Sequence, residues 1–222
     1  MNKRIITIDC GNTNISMGIH LKNESQIIKF DPGLITNADF VLFSKVGNQS
    51  LDIPLNSINL NNYKHHHSFF DMPFCYTNSI GIDRLIYAYH FFKNPHESYC
   101  LIDAGTFITV DFVDGNGFLG GYIFPGLSLL KSTIQKSDTL NGYSPEVTYD
   151  QNQKLPPKST PEALSAGLRH LISSIEHLCK NQSVIITGGD AVTVANIFSM
   201  KTTIQPNILH QSMKEIALCN FS

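Results

Sequence analysis

Charge is scarce in this chain. Only 15% of its 222 residues are Asp, Glu, Lys or Arg, and the two signs nearly cancel to a formal −2. That balance gives no reason to expect a nucleic-acid or membrane surface. Long apolar runs are missing as well: none approaches the roughly 20 residues that span a bilayer. Lys3 and Arg4 open the chain in a basic sense, but Asp9 interrupts the apolar stretch too early for a secretory leader. No Cys-x-x-Cys pair occurs. The five cysteines, Cys10, Cys75, Cys100, Cys179 and Cys219, are scattered and odd in number. Three lie beside apolar residues in expected strands or helices, which predicts buried free thiols in a reducing, cytoplasmic setting. The patterns GxxxxGK[ST] and GxSxG are absent too, which argues against a P-loop enzyme and a nucleophile-elbow hydrolase. His65, His66 and His67 are adjacent rather than at helical ligand spacing, so they read as a solvated loop.

What is present is a soluble-type composition, 42% apolar, long enough for one large domain or two small ones. Short apolar runs at 3–9, 14–20 and 25–30, separated by turn signals, predict strands. Residues 38–62 are mixed, and 64–79 read as a loop or crossing segment. Near-helical spacing then sets in at 81–95, with an aromatic-rich stretch, Tyr87–Phe92, that suits a core face. Strands are expected at 98–104, 107–113 and 118–124, with Asp114-Gly115-Asn116-Gly117 as a hairpin turn. A helix after Pro125-Gly126, a surface loop over 140–159 and a long helix over 160–181 follow. That helix opens with Ser159 or Thr160 as N-cap and Pro161 in the first turn. A buried strand, 183–189, precedes a last helix, strand and helix.

Two stretches match. "ITIDCGNTNISMGI" and "CLIDAGTFITVDFV" each run apolar strand, Asp, small residue, Gly, hydroxyl residue, second strand, and a third strand follows each. Two ordinary β-hairpins would account for the turns, but not for the shared hydroxyl residue. A duplicated unit predicts two related α/β domains facing each other. Turns of this kind suit phosphate. Gly11 and Gly105 let the backbone come close to a ligand. Asn12, Thr13 and Thr106 offer neutral donors, and Asp9 and Asp103 end strands where a hydrated Mg²⁺ could sit. Such an arrangement suits phosphoryl transfer, where positioning and charge neutralisation do most of the work. In "TGGDA", Gly188 and Gly189 follow a strand and could pack on a flat nucleoside, or simply turn the chain into a helix. In "GIDR", Asp83 is a base candidate and Arg84 a planar fork for an anion. Out of context the simpler account is a helix-starting Asp with Arg84 in a surface ion pair.

Taken together, "DCGNT" (9–13), "GIDR" (81–84), "DAGTFITVDFV…GGYIFPG" (103–126) and "TGG" (187–189), with "STPEALSAG" (159–167), resemble the type III pantothenate kinases. The first turn alone marks the wider actin, hexokinase and heat-shock ATPase superfamily. The resemblance implies two ribonuclease-H-like domains, expected at 1–80 and 81–222, with mixed β-sheets flanked by helices and a cleft between them, in a homodimer. It implies phosphorylation of pantothenate by ATP to 4′-phosphopantothenate, the first step to coenzyme A. The base would be Asp83, and Gly81, Ile82, Asp83, Arg84 and Thr160 would contact pantothenate. Asp9, Cys10, Gly11, Asn12, Thr13, Asn14, Ile15 and Ser16 would hold ATP, with Asp9 on Mg²⁺ through water or phosphate. Thr106, Gly188 and Gly189 would complete the ATP site, and Asp103 would bind K⁺ or NH₄⁺. Tyr76, in the unusual lead-in "YTNSI", is a further candidate for substrate contact, and Cys10 is expected to point away from the phosphates. The competing readings are a nucleotide-binding regulator without turnover, and a kinase or phosphohydrolase of the same superfamily acting on another small substrate.

Overall fold

The computed structural model describes residues 3–11, 14–22, 24–46, 50–94, 97–147 and 156–221. The opening runs of β-branched and apolar residues form β1 (Arg4–Cys10), β2 (Ile15–Leu21) and β3 (Glu24–Lys29), an antiparallel meander. β4 (Phe40–Lys45) then pairs parallel with β1, and the two-residue β5 (Ile58–Asn59) pairs parallel with β4. The sheet order is β3-β2-β1-β4-β5. Ile6, Ile8, Met17 and Ile35 form a buried cluster on one of its faces.

Residues 64–73 are not the loop expected of them. They fold into a small sheet of β6 (Lys64–His65), β7 (Ser68–Phe69) and β8 (Met72–Pro73) in that order, while the three histidines stay exposed as expected. Strands of two residues are too short to show alternation, which is why the sequence pattern misses them. Helix α1 (Ile82–Phe92) follows, with Leu85, Ile86, Ala88 and Tyr89 buried.

The second half repeats the first. β9 (Tyr99–Ala104), β10 (Phe107–Asp114) and β11 (Gly117–Pro125) lead into α2 (Leu127–Gln135) and α3 (Thr160–Glu176). β12 (Ser183–Thr187), α4 (Ala191–Ile197), β13 (Thr202–Ile204) and α5 (Ile208–Asn220) complete the chain. The sheet order, β11-β10-β9-β12-β13, is that of the first sheet, and β12 pairs parallel with both β9 and β13. Ile102, Ile108 and Val110 are buried with Leu168, Ile172 and Ile175 of α3 and Val194 and Ile197 of α4. The duplication read in the sequence is therefore a duplication of topology.

The chain forms two compact units, Met1–His96 with Val113–Gly120 and Asn207–Ser222, and Glu97–Phe112 with Gly121–Pro206. This differs from a boundary between residues 80 and 81. α5 packs on β1, β2, β4 and α1, so both helices group with the first sheet despite their place in the chain. Among the described residues no helix is long and apolar enough to cross a membrane.

Candidate active site

In the first unit, β1 ends where the Gly11 N–H donates to the Asn14 carbonyl at 3.1 Å and closes the turn. Asn12 and Thr13, expected as phosphate donors, lie outside the described residues. The pleat sorts the rest of residues 9–16 onto two faces. Cys10 pairs with Ile15, Cys10 is fully buried, and Ile15 packs on the Ile6–Ile8–Met17 cluster, so these two side chains belong to the core. Burial pushes the Cys10 thiol up. Asp9 pairs with Ser16, which puts both on the opposite face.

Asp9 Oδ1 accepts a hydrogen bond from Ser44 Oγ at 2.9 Å, and Ser44 is fully buried directly across the β1–β4 pair. Burial raises the Asp9 carboxyl from 3.8 to about 6; the Ser44 bond pulls it down and the charge of Asp83 pushes it up. The two acids expected to act together are thus close enough to feel each other.

Asp83 occupies the first turn of α1. Its Oδ1 accepts from the Arg84 backbone N–H at 2.9 Å. Gly81 is the N-cap in extended conformation, and a Cβ there would run into Asp83 Oδ1. Glycine at 81 is what lets the carboxylate lie over the helix start. Burial pushes the Asp83 carboxyl up, against the Arg84 N–H and the Arg84 charge. Ile82 is buried, so its side chain is part of the core.

Arg84 is no surface ion pair. It is 4% exposed, and its guanidinium carbon lies 5.3 Å from the Tyr76 ring centre and 5.6 Å from that of Phe118. Both rings come from segments tied together: the Cys75 N–H donates to the Phe118 carbonyl at 3.1 Å. A planar cation beside two π-faces keeps its charge while losing most of its water.

In the second unit, Asp103 near the end of β9 lies opposite Thr187 of β12. The Gly105 N–H donates to the Phe107 carbonyl at 3.0 Å, closing the second turn with one residue fewer than the first. Thr106 is exposed, and its carbonyl accepts the Gly126 N–H at 3.0 Å. Gly188 has a φ of +92°, and a Cβ on it would overlap the Ala104 carbonyl and Asp103 Oδ1. Only glycine fits this close approach. Gly189 is exposed, and Thr160 is the exposed first residue of α3, behind Ser159 as N-cap.

The family model for type III pantothenate kinase matches residues 54–181, more than half of the chain. The chain belongs to the type III pantothenate kinase family. The type III pantothenate kinase of Flavobacterium johnsoniae is 30% identical over 95% of this chain and 96% of its own length. Among solved structures, a Campylobacter jejuni protein described as a Baf-family transcriptional activator aligns at a TM-score of 0.64, with 24% identity, 97% of this chain and 98% of that one. A Sinorhizobium meliloti protein described as a 2-dehydro-3-deoxygalactonokinase aligns at 0.59, with 8% identity over 98% of this chain and 99% of that one. These two speak to the fold alone, the actin-like ATPase fold of two mixed five-stranded sheets with flanking helices.

Within this pantothenate kinase family fold, two features of the first unit escaped the motif reading. Ser44 stands in "FVLFSK" as a polar residue after four apolar ones, and only the β1–β4 register shows that it faces Asp9. His210 of α5 bonds Ser16 at 2.8 Å across a sequence separation of 194 residues, which no local pattern can signal.

Proposed function

We propose that this chain transfers the γ-phosphoryl group of ATP to the terminal hydroxyl of pantothenate, giving 4′-phosphopantothenate and ADP. Family membership supports the reaction class. The observation that carries the roles is the half-buried pair Asp83 and Asp9, each pushed up from its ordinary value by desolvation, with Asp83 pinned by the Arg84 N–H and by the space Gly81 leaves.

Asp83 acts as the base. A carboxylate whose pKa is moved toward neutrality takes the hydroxyl proton better than an ordinary one. The hydroxyl oxygen bonds to the γ-phosphorus, the proton passes to Asp83, and the bond to the β-phosphate oxygen breaks with its electrons leaving on ADP. Arg84, held by Tyr76 and Phe118, offers fixed positive charge to an anionic group of the substrates. By the family resemblance, Gly81, Asp83, Arg84 and Thr160 are the residues proposed to contact pantothenate, and Asp9, Gly11, Ser16, Thr106, Gly188 and Gly189 those proposed to contact the nucleotide.

Mg²⁺ fits the residues present. Asp9 is an oxygen-only donor whose raised pKa a nearby cation would lower, and Oδ1 already has Ser44. Among the described residues no group of three or more His, Cys, Asp or Glu side chains could hold a metal alone, which suits an ion that keeps water and phosphate ligands. When bound, it would neutralise developing phosphate charge. Asp103, beside Gly188, is the oxygen donor proposed for K⁺ or NH₄⁺.

The test is a coupled ADP-release assay. ADP release that requires pantothenate, and that drops when Na⁺ replaces K⁺ or NH₄⁺, is expected. ATP binding with no turnover on pantothenate would remove the assignment. The same reading predicts a homodimer, and light scattering at twice the chain's mass is the result expected.

A further inference from the structure

Five side chains form one hydrogen-bonded row through the first unit. Ser25 Oγ meets His20 Nδ1 at 2.8 Å, and His20 Nε2 meets Thr7 Oγ1 at 2.9 Å. Thr7 Oγ1 meets His210 Nδ1 at 2.8 Å, and His210 Nε2 meets Ser16 Oγ at 2.8 Å. Thr7, His20 and His210 are buried. Gly18 makes the convergence possible, because a Cβ there would collide with the Thr7 hydroxyl and the His20 ring. The row starts on β3 and ends at half-buried Ser16, opposite Asp9 and on the same face.

Hydrogen counting allows this row two complete states. A neutral imidazole has one N–H and one bare nitrogen, and a hydroxyl has one hydrogen. Both imidazoles are neutral at pH 7, since burial pushes each down to about 4. If Thr7 donates to His20, His210 must donate to Thr7 through Nδ1, and its bare Nε2 takes the hydrogen of Ser16. If Thr7 donates to His210, then His20 donates to Thr7, Ser25 donates to His20, and His210 donates to Ser16 through Nε2. Only in the second state is the Ser16 hydrogen released to donate elsewhere. A phosphate oxygen is an acceptor only, so it selects that state.

We propose that His210 is a positioning residue for the nucleotide turn: with its hydrogen on Nε2 it donates to Ser16 Oγ and leaves the Ser16 hydroxyl to donate to a phosphate oxygen of the nucleotide. The inference rests on the kinase reading of residues 9–16. It gives α5, at the far end of the chain, a part in nucleotide affinity, and it makes His20 and Thr7 switch direction with the ligand.

The test combines spectroscopy and kinetics on the full chain. Histidine ring ¹³C and ¹⁵N shifts, assigned with a His210→Gln spectrum, report the tautomer. With a non-hydrolysable Mg·ATP analogue bound, both His210 and His20 are expected as Nε2–H; His210 as Nδ1–H overturns the inference. Gln places an N–H near the position of Nε2, whereas Asn keeps a polar group facing Thr7 and loses Ser16. Ser16→Ala and His210→Asn should each raise the KM for ATP about tenfold, the scale of one lost hydrogen bond to a charged group, with kcat changed less than about threefold. His210→Gln should stay near the parent KM, and Ser16→Ala with His210→Asn should be no worse than Ser16→Ala alone. Equal effects of Gln and Asn, or an unchanged KM in Ser16→Ala, overturn the inference; the tautomer and Ser16→Ala decide it even if His210→Asn fails to fold. A parent protein that binds no Mg·nucleotide by calorimetry overturns the kinase reading and this inference together, whereas nucleotide bound beside the Nδ1–H form removes only the inference.

Discussion

Ser44 Oγ donates to Asp9 Oδ1 at 2.9 Å from the position directly facing it across the parallel β1–β4 pair. That bond favours the ionised carboxylate, while burial and the Asp83 charge oppose it, and the carboxyl settles at about 6. Ser44→Ala removes the one contribution of these three that lowers it. The acid limb of kcat/KM should then move to higher pH, by about one pH unit on the usual scale of such a bond. A pH–rate profile on the two proteins checks this, and an unmoved limb would take Asp9 ionisation out of the rate.

The same carboxyl opposes folding at neutral pH. Its folded value of about 6 stands above its ordinary 3.8. The folded state therefore holds the proton more tightly than the unfolded chain. Stability from this group is present below about 4 and is lost as pH rises through about 6. Asp9→Asn removes the conflict and keeps an acceptor for Ser44. It should gain about 2–3 kcal/mol against urea at pH 8, from a shift of this size at about 1.4 kcal/mol per pH unit, while losing phosphoryl transfer.

His20 and His210 act in the opposite direction. Burial holds both at about 4, below their ordinary 6.5. The stability they contribute is complete above about 6.5 and is lost as pH falls from there through about 4. In the parent protein, Asp9 takes up a proton over part of the same window and offsets some of that loss. Asp9→Asn should therefore lose stability more steeply between pH 6.5 and 5 than the parent does. Urea midpoints at three pH values measure the slope; equal slopes would contradict one of the two assignments.

Gly81→Ala tests how the base is placed. The added methyl overlaps Asp83 Oδ1, so the carboxylate must swing away from the Arg84 N–H that now fixes it. Asp83→Asn should reduce kcat by about 10²-fold or more, the scale of general-base catalysis. Gly81→Ala should approach that loss with circular dichroism unchanged. Full activity in Gly81→Ala would show that the carboxylate's present position is not the working one.

Much of this was legible in the sequence because it is local. Three strands around each turn, the Asp-x-Gly repeat and the glycines of "GIDR" and "TGG" reflect pleat, turn and close-approach constraints that act over a few residues. The duplicated sheet order follows from that repeat. What escaped is tertiary. β6, β7 and β8 are too short to alternate, Ser44 gains its meaning from register, and Arg84 becomes a buried cation only because Phe118 is brought beside Tyr76. α5 joins the first sheet's unit from the other end of the chain and carries His210 with it.

Arg84 offers the sharpest test of the substrate side. Its guanidinium lies within 5.3 and 5.6 Å of the Tyr76 and Phe118 ring centres, and its plane and forked donors are what such a setting exploits. Arg84→Lys keeps the charge but loses both the stacking and the fork. The KM for pantothenate should rise about tenfold or more, with ATP binding by calorimetry little changed. Tyr76→Ala removes one face only and leaves Phe118 and the guanidinium fork in place, so its effect on the KM for pantothenate should be smaller than that of Arg84→Lys. If Arg84→Lys instead weakens ATP and leaves pantothenate untouched, the fork serves the phosphates, and the anionic group it grips lies on the nucleotide rather than on the acceptor.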